Sequence, residues 1–141
     1  MLDKIINAAG QKAHQRQDSE DRSLIYRNWL RTVDTNGFWM DLDLIKYRKN
    51  DGGVPLPVAI TEITRTDKEE VGSSYLEAII DRIMNRDMQG KLIDLMSGLL
   101  KVPAYLVLFP KSMSWVWVFS FQKKEWRNFT PLNWSLYLKS L

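Results

Sequence analysis

From Val102 to Phe109 the chain reads VPAYLVLF, with no charge in the run and prolines at 103 and 110. So short an apolar run cannot span a bilayer. It reads as a strand covered on both faces, which requires packed layers on either side of a sheet. It follows a long helical region, from about Ser73 to Leu100. A helical crossover of that length permits a parallel strand pair at the centre of the sheet.

The remaining segments fit around that strand. Residues 2–16 read as a weak helix, with Leu2, Ile5, Ile6 and Ala9 on one side. Residues 18–33 make a stronger one: Asp18 or Ser19 can cap it, and Leu24, Ile25, Trp29, Leu30 and Val33 recur at helical spacing. "DTNG" (34–37) then breaks the chain. Two strands are predicted at 38–48 and 57–66, joined by "KNDGGVPL", whose Asp-Gly-Gly marks a hairpin turn. Gly90 is expected to divide the helical region into two helices, 73–88 and 89–100. "SWVWVFSF" (114–121) pairs with the apolar strand across a Pro-Lys-Ser-Met turn. The chain ends in a helix over 130–141, with Thr130 as cap and Pro131 in its first position. The expectation is one domain of 141 residues, an α/β fold with a mixed central sheet flanked by helices.

Composition narrows the chemistry. Hydrophobic residues at 45% and charged residues at 26% suit a globular protein. No apolar run is long enough to cross a bilayer, and the N-terminus turns polar too soon for a secretory signal. With no cysteine, disulfides and thiolate metal sites are excluded, which fits a cytoplasmic protein. A single histidine, His14, argues against a zinc site or a Ser-His-Asp triad, so any metal should be a hard ion on oxygen ligands. The net charge of +3 is compatible with a polyanionic partner.

Carboxylates interrupt the two predicted strands. Alternation puts Asp41 and Asp43 on one face with Trp39, Ile45 and Tyr47, and Glu62 and Thr64 on one face with Val58 and Ile60. Adjacent strands lie about 4.8 Å apart, so an acid from each can converge on one point. Mg²⁺ is held by one or two carboxylates beside a phosphate, where it can activate a water. The plainer alternative is a solvated edge strand, with Glu62 paired to Arg65 or Arg48.

On these residues the sequence resembles the PD-(D/E)XK nuclease superfamily, whose core runs α-β-β-β-α-β. There, an Asp on one strand and a Glu or Asp on the next bind Mg²⁺, and a Lys two residues after the second acid orients water or stabilises charge. Asp43 in "MDLDLI" and Glu62 in "AITEIT" match the two acids, with Asp41 as an alternative first acid. The resemblance spans about residues 18–110, leaving 1–17 as a peripheral helix or arm and 111–141 as an added C-terminal strand and helix. It implies that Gln89 and Lys91, near the start of the second core helix, reach the site, and it makes Glu20 the nearest candidate from the first. One position departs from the pattern: the motif lysine is Thr64, whose hydroxyl can hold a water but brings no cation. Lys91 is the first choice to supply the charge; Lys46 has the wrong parity. The resemblance therefore implies a Mg²⁺-dependent deoxyribonuclease (Mn²⁺ able to substitute), or an inactive relative that binds DNA or a protein. Small members commonly act as homodimers on DNA, junction resolvases among them.

Two further features bear on partners. Arg48, Lys49, Arg65 and Lys68 would set basic groups at strand ends, where they can contact phosphates or merely line solvated turns. Trp115 and Trp117 share one face, expected to pack under the C-terminal helix or in a dimer interface rather than stack on bases.

Overall fold

The computed structural model describes residues 16–33 and 42–141. Helix α1 (Arg16–Val33) falls in one compact unit of the chain, and everything from residue 42 falls in another. The expected cap residues Asp18 and Ser19 lie inside α1. The predicted helix at 2–16 lies outside the described residues, apart from Arg16, as does His14.

The second unit is a five-stranded open sheet in the order β1-β2-β3-β4-β5. β1 (Leu44–Lys49) and β2 (Pro55–Thr66) form an antiparallel hairpin. Its turn needs Gly53 at φ +77°, a conformation that glycine adopts freely. Asn50 closes that turn: its backbone N–H donates to the Val54 carbonyl, and its side-chain oxygen accepts from the Val54 N–H, each at 2.9 Å. Opposite Lys46 and Tyr47 the register slips, leaving Val58 unpaired beside Pro57. A bulge tolerates a proline there, because Pro57 has no N–H to give the ladder. The first strand is thus shorter than expected: Leu42 and Asp43 precede it, and 38–41 lie outside the described residues.

The crossover comprises α2 (Ser73–Asp81), a π-helical turn over Arg82–Arg86 and α3 (Gln89–Leu100). Gly90 does not divide the helices. The boundary falls where expected, before Gln89, but it is made by Met88, which takes a left-handed φ of 59° just before α3 begins. Gly90 is buried inside α3, where an added Cβ would sit 2.4 Å from Met84 Sδ and 3.2 Å from the Ile83 carbonyl. Only a glycine lets α3 approach the preceding turn so closely.

β3 (Ala104–Pro110) returns parallel to β2, an arrangement its helical crossover permits. β4 (Val116–Ser120) pairs antiparallel with β3, and β5 (Glu125–Phe129) with β4. The C-terminal addition is therefore two strands and a helix, not one strand. β5 was hidden by its half-exposed alternation, Glu-Trp-Arg-Asn-Phe, behind a turn that needs Lys124 at φ 56°. α4 (Pro131–Ser140) starts where expected, the Thr130 hydroxyl accepting from the Asn133 N–H at 3.1 Å.

Strand alternation divides the core between the two faces. Ile60, Leu106, Leu108 and Phe119 pack with Leu76, Ile79 and Ile93 from α2 and α3. Ala59, Tyr105, Val107, Val116 and Val118 pack with Trp134 of α4. Trp115 and Trp117 lie against the first of these clusters and not under the C-terminal helix, because it is Val116 and Val118 that face α4. Among the described residues, no helix is long and apolar enough to cross a membrane.

Candidate functional site

On β1 the paired positions run Lys46 to Ala59, Ile45 to Ile60 and Leu44 to Thr61. One further step sets Asp43 opposite Glu62. Glu62 lies on the α2/α3 face of β2, two residues after Ile60 and level with Leu106 of β3. Asp43 is no longer strand, yet it is fixed: its Oδ2 accepts the Ile63 N–H at 2.9 Å, a donor left free where β1 has not yet begun. The two carboxyl groups stand near enough for the negative charge of Asp43 to bear on Glu62.

Glu62 is only 7% exposed. Gln89, the first residue of α3, donates its side-chain N–H to Glu62 Oε1. Oε2 is buried with no hydrogen-bond partner. Burial pushes the Glu62 carboxyl up to about 7, and the negative charge of Asp43 pushes the same way. The Asp43 backbone N–H, and less strongly the Gln89 hydrogen bond, pull it down, but no lysine or arginine among the described residues does. An unpartnered, buried carboxylate oxygen beside a second carboxylate is costly unless a proton or a cation joins them.

The other candidates are distributed around this pair. Thr64 is half-buried and shares the face of Glu62 by parity, opposite Leu108. Lys91 is exposed. It follows Gln89 by two residues, and residues so spaced on a helix do not face the same way, so with Gln89 turned to Glu62 it points elsewhere. Asp41 lies outside the described residues, and so does the Glu20 side chain, although its backbone belongs to α1. No cluster of three or more acids and histidines able to hold a metal occurs among the described residues.

The four basic candidates do not form one patch. Arg48 and Lys49 pair with Leu56 and Pro55 at the start of β2, whereas Arg65 stands near its other end. Nine residue steps along the strand separate Leu56 from Arg65, about 30 Å. Arg48 donates to the Lys139 carbonyl at 2.9 Å, Arg65 lies 4.0 Å from Asp67, and Lys68 sits over the Tyr75 ring at 4.6 Å; Lys49 is exposed. The helix arginines make ordinary surface pairs, Arg82 with Asp87 and Arg86 with Asp81, both at 3.7 Å.

Sequence reasoning missed two contributions. The backbone N–H of Ile63 as the anchor of Asp43 leaves no sequence signal, since any residue but proline supplies it. The second is Lys46, set aside on parity: it does face away from the acids, and there it donates to the Leu138 carbonyl of α4. Two cations at alternate positions of an edge strand, Lys46 and Arg48, were the available hint. The chain matches no protein-family model, no curated protein and no solved structure.

Proposed function

We propose that this chain has a PD-(D/E)XK nuclease core of the restriction-endonuclease-like kind, and that it uses a divalent cation to hydrolyse phosphodiester bonds in DNA. The observation that carries the reading is the buried Glu62 carboxylate, its Oε2 without a partner and Asp43 against it. That donor set fits a hard cation: two carboxylates on adjoining segments, with room in the shell for water and a phosphate oxygen. The parallel β2–β3 pair linked by a helical crossover supports the fold. Two described strands precede the crossover, against three in the superfamily pattern.

Asp43 and Glu62 would hold the cation, joined by Asp41 if the preceding segment brings it near. Bound there, Mg²⁺ or Mn²⁺ would lower the pKa of a water and offset charge on the leaving oxygen. The protein's own residues set the geometry. Gln89 orients Glu62 through Oε1 and leaves Oε2 free. The Ile63 N–H orients Asp43. The Thr64 hydroxyl, on the same face, can hold a water in line with the phosphate.

A second reading has its own observation in favour. Thr64 brings no charge, Lys91 points away from the acids, and no described cation offsets Glu62. A protein that binds metal and DNA without cutting fits that deficit. Incubating the protein with plasmid and branched DNA and Mg²⁺ or Mn²⁺ separates the two. The nuclease reading expects divalent-dependent cleavage that falls at least about a hundredfold in Asp43→Ala and in Glu62→Ala. Cleavage unchanged in both variants would sink the site, and DNA binding without cleavage by wild type would favour the second reading.

A further inference from the structure

β1 has no buried residue and lies at one edge of the sheet, as β5 does at the other. On the α4 side there is little beneath it: an open, mostly apolar groove of about 460 Å³ separates β1 and β2 from α4, lined by Leu44, Ile63, Val107, Trp134 and Leu138. Side-chain packing therefore does little to fix the strand that leads out of Asp43. What bridges the groove is polar. Lys46 donates its ammonium to the Leu138 carbonyl, and Arg48 donates its guanidinium to the Lys139 carbonyl at 2.9 Å, links that span 92 and 91 residues of sequence.

Both acceptors belong to the last turn of α4, where the dipole favours a positive charge; the Leu138 carbonyl also accepts the Leu141 N–H at 3.3 Å. α4 is itself seated on the core through Trp134, which is buried and meets the Tyr105 ring edge-on at 5.7 Å. The chain of support runs from the core to α4, from its C-terminus to β1, and from β1 to Asp43. Lys46 follows Asp43 by three residues, so a tilt of β1 about its hairpin turn is felt most at the Asp43 end.

We infer that Lys46 and Arg48 are positioning residues, a latch that closes β1 onto the C-terminus of α4 and thereby holds Asp43 against Glu62. The latch stands on these contacts alone; its consequence for metal rests on the acid-site reading above. The Ile63 N–H reports the position of Asp43 directly, since it donates to Asp43 Oδ2. Amide hydrogen exchange of the full chain, resolved by residue, tests the latch without any metal. Lys46→Met with Arg48→Gln keeps the aliphatic stems and removes both charges. The latch expects the Ile63 amide to exchange about tenfold faster in that double variant while Leu106 and Val107 of β3 are unchanged. Lys46→Arg should restore much of the protection, because it returns a donor to Leu138. Mn²⁺ affinity, read by paramagnetic resonance, should weaken about tenfold in the double variant, the size typical of losing a residue behind a ligand. Ile63 protection within twofold of wild type would overturn the latch, as would equal loss of protection in β3, which marks mere global destabilisation. A wild type that binds no Mn²⁺ would count against the acid site alone, and the Ile63 amide would still decide the latch.

Discussion

Strand β2 has a neighbour on each side, and the two are fixed by different physics. β3 is buried along almost its whole length, with Leu106 and Leu108 in one core cluster and Tyr105 and Val107 in the other. β1 has no buried residue and is tied down by its ladder to β2, by Asp43 on the Ile63 N–H, and by Lys46 and Arg48 on α4. The acid pair straddles that boundary. Glu62 inherits its place from packing against a strand that cannot move, and Asp43 from a few hydrogen bonds at an edge. Half of the site is thus set by volume and half by directional polar contacts.

The largest way to break the comparison is to cut equal side chains from both neighbours. Leu106→Ala removes a fully buried side chain and should cost about 2–5 kcal/mol in urea denaturation. Leu44→Ala on β1, 52% exposed, should cost under about 1 kcal/mol. Similar losses would mean that β1 is held by packing after all.

The next effect concerns Glu62 and pH. Its carboxyl titrates near 7 in the fold against 4.5 as an ordinary glutamate, so the folded state keeps the proton longer. Below about pH 4.5 both states are protonated and there is no penalty. As pH rises toward 7 the unfolded chain ionises first, and metal-free stability should fall by about 2–3 kcal/mol and then level off. Glu62→Gln should flatten that slope and be the more stable protein at pH 8. A wild-type profile level between pH 4.5 and 7 would contradict the burial of an unpaired carboxyl.

A smaller effect sharpens the packed side. Gly90→Ala forces a methyl into Met84 and the Ile83 carbonyl, and should cost about 1–3 kcal/mol. Since Gly90 follows Gln89, the shift should also loosen the Gln89 bond to Glu62, visible as a changed Gln89 side-chain amide resonance. A stable variant with that resonance unmoved would mean that α3 has slack at its start.

The same division explains what the sequence made legible. The packed half was readable: an uncharged run between prolines announced β3, a helical crossover permitted its parallel partner, and Thr130-Pro131 announced α4. The hairpin let an acid from each strand meet if the register cooperated, with Asp41 and Asp43 both open. The polar half was not readable, because it depends on donors and acceptors brought together from far apart. Lys46 meets Leu138 only once α4 has crossed the sheet, and parity said merely that it faced away from the acids. β5 escaped because a half-exposed strand alternates weakly. The helix boundary before Gln89 was legible but was assigned to Gly90, because no residue preference marks methionine for a left-handed turn.

The central claim is that Asp43 and Glu62 are two sides of one cation site, and diffraction from Mn²⁺-soaked crystals at a wavelength where manganese scatters anomalously tests it most directly. The account predicts one strong anomalous peak in contact with an Asp43 oxygen and Glu62 Oε2, absent from the Glu62→Gln protein soaked in the same way. Crystals grown above pH 7 that show no peak, with the two carboxyl groups where they stand now, would contradict it.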